Sequence, residues 1–203
     1  LYGHNWVCLA WLARHPMWGV IAFPLRSMLY VREVDVPKLA EKYAWEFRTK
    51  HQLGVELLTW FKQQLREMGL ETKIWLAVDG AYATRPFLLP VLGLDIVVVS
   101  RLRKDACLYD LPGPRPPHRR GPDPIYGKNK ISLAKRAAHR EGWEAAQCTV
   151  YGQTVTKLYK TFLATSQLVS GPIRVVLVRF EDGGWAPYFC TDTSAAVCDI
   201  LEA

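Results

Sequence analysis

The hydrophobic pattern starts with two aromatic and β-branched runs, NWVCLAWLA (5–13) and GVIAFPLRSMLYV (19–31), split by a His-Pro turn; they predict a β-hairpin of adjacent buried strands. Asp35 and Pro37 then open a helical stretch. A second helix is predicted from Thr49, because Thr49 and Gln52 have the spacing of a capping box. Leu57, Leu58, Phe61, Leu65 and Met68 recur at helical spacing and form its apolar face, and Gly69 is its stop. That face predicts a helix packed on a sheet.

The pattern then changes to short, unalternating apolar runs. Ile74 to Val78 reads as a strand with Asp79 at its carboxyl end, followed by a Gly-Ala-Tyr turn. Thr84 and Pro86 start a short helix through Leu92 with Gly93 as its stop, and DIVVVSRL (95–102) is a second strand. Strand, helix, strand with continuous apolar runs is the signature of a parallel sheet covered on both faces, where ligand sites lie beyond the carboxyl ends of the strands. Asp79 occupies such a position, although Asp followed by Gly also makes a plain turn.

From Leu111 to Pro124 six prolines rule out a regular element and predict a polyproline-like excursion. A short basic helix is expected from Ser132 to Arg140. Residues 147–166 alternate about a Tyr-Gly turn, and IRVVLVRF with APYFCTD flanks an Glu-Asp-Gly-Gly turn, so both read as hairpins. Asp192, Thr193 or Ser194 can cap a final helix with Ala196, Val197, Ile200 and Leu201 as its buried face. That helix carries no stop signal before Ala203, so the chain is expected to end inside it.

Composition narrows the class. At 203 residues, with 50% hydrophobic and 22% charged side chains, the chain can bury a substantial core, and disorder is not expected for most of it. The net charge of +7 is unevenly spread: Arg101 to Arg140 contains 11 basic and 3 acidic residues, so this stretch accounts for all of it. A cationic segment on a near-neutral body predicts a polyanionic partner. The five cysteines form no C-x-x-C pair and are expected as reduced, cytosolic thiols. Arg14, His15 and Pro16 divide the apolar N-terminal runs into pieces too short to span a bilayer, so no membrane partner is expected. The eight tryptophans are expected mostly in the core, with Trp143 and Trp185, near turns, able to contact a base. His4 is expected as a core hydrogen-bonder, and the histidines show no metal-ligand spacing.

The order of these elements, with the phrases GHNWVCLAWL, FRTKHQLGVELLTWF, LAVDGAYA, VVVSRLRKDACLYDLPGPRPPHRRG, RVVLVRF and CTDTSAAVCDILEA, resembles the ribonuclease-H-like core of bacterial insertion-sequence DDE transposases. The resemblance covers essentially the whole chain. It implies an α/β fold in which a mixed sheet flanked by helices is interrupted by a β-rich basic insertion. The implied divisions are 1–102 as core without its first strand, 103–170 as insertion, and 171–203 as a return to the core. The implied chemistry is cleavage and joining of DNA strands with two Mg²⁺ ions held by three carboxylates, since two hard cations stabilise the attacking and leaving oxygens. Only the second carboxylate maps here, onto Asp79; the first Asp would precede Leu1 and the Glu would follow Ala203, with Glu202 on the right helix but short of the catalytic position. The polypeptide alone is therefore expected to be inactive.

The resemblance also implies double-stranded DNA at transposon ends as partner, admits a homodimer, and places the protein in a bacterial cytoplasm at the nucleoid. The insertion position and its charge make Arg115, Arg119, Arg120, Lys128 and Lys130 the candidate phosphate contacts. Related loops carry an Arg-Gly-Arg-Pro phrase suited to a minor groove; here Arg120-Gly121-Pro122-Asp123 lacks the second Arg. Two other readings stay open: a non-catalytic DNA-binding remnant, and an unrelated α/β enzyme using Asp79 as nucleophile or metal ligand.

Overall fold

The computed structural model describes residues 3–115, 118, 120–150 and 152–203, and the chain divides into two compact units, 1–72 and 73–203. In the first unit, β1 (Asn5–His15) and β2 (Gly19–Tyr30) pair antiparallel along their whole length. His15 organises the turn: its Nδ1 accepts the amide N–H groups of Met17 and Trp18, and its ring stacks on Trp18 with centroids 4.4 Å apart. The register slips between Leu9, opposite Arg26, and Ala10, opposite Pro24. A bulge is where a strand tolerates proline, which has no N–H for the ladder.

After a 3-10 turn at Glu33–Asp35 come α1 (Val36–Tyr43), with proline in its first turn, and α2 (Lys50–Glu67). The capping box forms as its spacing predicts: Thr49 Oγ1 accepts the N–H of Gln52, and Gln52 Oε1 accepts that of Thr49. Gly69, at φ 69°, ends the helix. Helix α2 lies on the hairpin, with Leu53, Leu57, Leu58 and Leu65 buried, Phe61 tilted against Trp11, and the Arg26 guanidinium over Trp60.

Burial corrects three expectations in this unit and one that concerns the whole chain. The hairpin exists, but it forms a two-stranded sheet of its own with one covering helix, so Val7 is its only fully buried residue while Trp6, Trp11, Trp18 and Phe23 are exposed. Met68 also falls outside the buried face, because the helix ends one residue before it. His4 is exposed just ahead of β1 rather than in a core. No tryptophan of the chain is fully buried; three are exposed and five intermediate.

The second unit is an α/β structure on one mixed sheet. Strand β3 (Ile74–Val78) leads through a 3-10 turn at Gly80–Tyr82 to α3 (Arg85–Gly93) and β4 (Ile96–Arg101), and β3 pairs β4 in parallel. The stop of α3 is Asp95 in the left-handed region at φ 56°, not Gly93, which lies in the helix. Every residue from Ile96 to Ser100 is buried, as a strand covered on both faces requires.

Short strands β5 (Leu108–Tyr109) and β6 (Lys130–Ile131) bracket the proline-rich excursion, whose described residues form no helix or strand. Then come α4 (Leu133–Ala138), capped by Ser132 Oγ, and the strands β7 (Glu144–Val150), β8 (Gln153–Ser166), β9 (Gly171–Arg179) and β10 (Trp185–Cys190). Helix α5 (Val197–Glu202) closes the described chain. The sheet order is β3-β4-β10-β9-β8-β5-β6, with β7 paired to β8; all contacts except β3 with β4 are antiparallel. The stretch 103–170 thus adds its strands to the sheet that contains β3 and β4.

One face of this sheet is covered by α5: Val97, Val99, Val176, Val178 and Cys190 pack with Ala195, Val197 and Ile200. The cap of α5 differs from expectation. Ala196 holds the N-cap position without a side-chain bond and is exposed, whereas Asp192 accepts from the Ser194 amide and hydroxyl and pairs with Lys73. Lys73 takes one carboxylate oxygen of Asp192 and Ser194 the other, so neither is left to cap α5.

Candidate functional site

The parallel pair β3–β4 fixes the site. Val78 lies opposite Ser100, so the chain leaves both strands at the same rim of the sheet, with Asp79 next on one and Arg101 on the other. Gly80 passes close to the Arg101 backbone: a Cβ there would sit 3.1 Å from the Arg101 carbonyl oxygen. Asp79 is exposed, and its Oδ1 accepts the Ala81 amide N–H at 2.8 Å, so the plain-turn and site readings coexist in one residue.

Asp79 lines an open cavity of about 800 Å³. Around it stand Ser100, Arg101, Lys104 and Lys157, with Ile200 and Leu201 of α5 along the wall. Lys104 Nζ lies 4.8 Å over the ring of Trp185, and Arg103 is paired to Asp105, which lowers the pKa of that carboxyl through the hydrogen bond from the guanidinium. Ser100, 3% exposed near the end of β4, keeps its hydroxyl without a hydrogen-bond partner in the structure.

Arg101, Lys104 and Lys157 are the contribution that the sequence reading missed. The first two lie in the basic stretch but were submerged in its total charge. Lys157 sits opposite Ala146 on β8, and only the strand register brings it to the rim where β4 ends.

The proline-rich loop is closed by a clasp. Asp110 accepts from the Asn129 amide N–H and from Asn129 Nδ2, while its carbonyl accepts the Gly127 N–H. Within the loop Arg115 donates to Asp123 and to the Gly121 carbonyl, so its guanidinium braces the turn. Arg120, Lys128 and Lys130 are exposed, and Arg119 lies outside the described residues. None of these four described residues lines the cavity at Asp79. Trp143 is flanked by cations: Lys160 Nζ is 4.9 Å and the Arg179 guanidinium 5.8 Å from its ring centroid. It shares a smaller cavity with Trp185 and His139.

The donor set does not by itself make the two-ion Mg²⁺ site that the resemblance implies. Among the described residues no three His, Cys, Asp or Glu side chains converge as metal ligands. Asp105 is engaged by Arg103, and Asp192 by Lys73 and Ser194. Also among the described residues, no helix is long and apolar enough to cross a membrane. Compared with known proteins, the chain matches no family model, no curated protein and no solved structure.

Proposed function

We propose that this chain is a portion of the catalytic core of a DDE-type transposase, that it binds double-stranded DNA, and that Asp79 is one carboxylate of the site that cuts and joins the strands. The observation that carries the reading is the cavity: an exposed carboxylate at the carboxyl end of a parallel strand, ringed by Arg101, Lys104 and Lys157 and backed by α5. Cations on the rim suit a phosphodiester backbone, and a carboxylate amid them suits a divalent cation that bridges protein and phosphate. On this reading Mg²⁺ is the metal, the remaining two carboxylates come from outside these 203 residues, and the ribonuclease-H-like fold is the scaffold. The absence of a three-ligand cluster among the described residues favours, as second reading, a DNA-binding piece without catalysis of its own.

Double-stranded DNA binding, followed by fluorescence anisotropy with and without Mg²⁺, tests the assignment. Without divalent cation, Asp79→Asn removes a charge that repels phosphate and should tighten binding roughly fivefold, about 1 kcal/mol at 4 Å in water. Mg²⁺ should tighten binding by the native chain and leave the variant unmoved. Equal Mg²⁺ responses from the two proteins would take Asp79 out of the site. In a longer polypeptide supplying the other carboxylates, Asp79→Ala should abolish Mg²⁺-dependent strand cleavage and spare binding; cleavage that survives refutes the catalytic role, and cleavage absent from the native longer protein favours the second reading.

A further inference from the structure

Helix α5 is tied to β7 at two points four residues apart, hence on one helical face. Glu202 Oε1 accepts the amide N–H of Thr149 at 2.7 Å. One turn earlier, Cys198 Sγ lies 2.7 Å from Cys148 Sγ and also donates to the Gln147 carbonyl. Two sulfurs at that separation are closer than non-bonded sulfurs pack, and the disulfide bond length is only about 2.0 Å. The other three cysteines make no such approach: Cys8 and Cys107 are exposed and Cys190 is buried under α5.

We propose that Cys148 and Cys198 are a dithiol modification site that reacts with low-molecular-weight disulfides to form a reversible staple between β7 and α5. This inference stands apart from the proposed function, since it needs neither DNA nor Asp79. Cys198, half-buried, is the entering thiol, because Cys148 is only 1% exposed. The Cys198 sulfur attacks one sulfur of the small disulfide, whose S–S bond breaks and releases one small thiol, which keeps the proton. Cys148 then gives up its proton and attacks Cys198 Sγ in the mixed disulfide, expelling the second small thiol. Two protein thiols are oxidised and one small disulfide is reduced to two thiols. Burial pushes the Cys148 thiol up to about 12, so the closing attack, which needs the thiolate, is favoured as pH rises.

The staple would fix the helix whose Ile200 and Leu201 wall the cavity at Asp79. It would also close a long loop between β7 and α5, the geometry in which a cross-link constrains the unfolded chain most.

The test is incubation of the chain with excess oxidised glutathione, thiol alkylation, and peptide mapping with a protease that cuts before aspartate. Cleavage ahead of Asp192 separates Cys190 from Cys198, so the linked pair is read without ambiguity. The expected product is a Cys148–Cys198 link with the mass of two hydrogens lost, no retained glutathione on either residue, and a melting temperature several degrees above that of the reduced protein. Cys198→Ser, at the half-exposed position, should lose the link and the melting shift while melting like the reduced native chain. Glutathione retained on Cys198 without closure overturns the proposal. So does alkylation of both residues under conditions that modify Cys8 and Cys107, or a melting shift that persists in Cys198→Ser.

Discussion

At the scale of single residues, two side chains have environments that make opposite demands on stability. Asp192 accepts from Lys73, from the Ser194 hydroxyl and from the Ser194 amide, and these bonds, the lysine's first, bring its pKa to about 2. A carboxyl whose folded pKa is depressed stabilises the fold above the unfolded value and loses that contribution as pH falls through the folded one. The window is therefore about pH 4 down to about pH 2. Lys73 is 59% exposed, so water screens the pair and its contribution is held to about 1 kcal/mol. Asp192→Asn should lower stability by that amount at pH 7 and flatten the acid limb of a urea-melt series across the window; an unchanged limb would mean the pair is not formed in solution. Ser100 demands the reverse. Its buried hydroxyl has no partner, and such a group costs about 1 to 3 kcal/mol, so Ser100→Ala should raise stability by about 1 kcal/mol in ligand-free urea melts. A loss of stability would show that the hydroxyl is bonded in solution.

At the scale of elements, what was legible in the sequence is what local chemistry decides. Thr49 and Gln52 cap α2 because both halves of the box lie within one turn, and the hairpins β7–β8 and β9–β10 form because alternation and turn residues are adjacent in the chain. Asp79 was legible for the same reason, as the residue that ends an apolar strand before glycine. Burial was not legible: the N-terminal strands carry core-like residues, yet a two-stranded sheet under one helix has little interior to offer them. Nor was the clasp at the foot of the proline-rich loop, which joins residues 19 apart. There Gly127 packs so tightly on Asp110 that a Cβ would overlap both its carboxylate and its carbonyl. Gly127→Ala should open the clasp without unfolding the sheet, exposing the bond after Arg120 to trypsin several times faster than in the native chain. Unchanged cleavage, followed by mass spectrometry, would mean that the loop is not secured there.

At the scale of the whole molecule, most of the net +7 belongs to the second unit, where two basic groups stand apart. One is the cavity set, Arg101, Lys104 and Lys157, which depends on the pairing of β3 with β4 and of β7 with β8. The other is the loop set, Arg120, Lys128 and Lys130, which lies within one short stretch of sequence and is exposed. Total charge cannot distinguish them, but the salt dependence of binding can, because each phosphate neutralised releases counterions and steepens the fall of log K with log salt by about 0.9. If the cavity contacts DNA, replacing its three cations with Ala should flatten the slope by roughly 2 to 3, whereas the same replacement in the loop set should leave more of the slope intact. Both variants keep the apolar core, so melting temperatures near the native value certify that slopes are compared between folded proteins. A loop variant that flattens the slope while the cavity variant does not would move the DNA contact away from Asp79, and with it the reason for reading that carboxylate as catalytic.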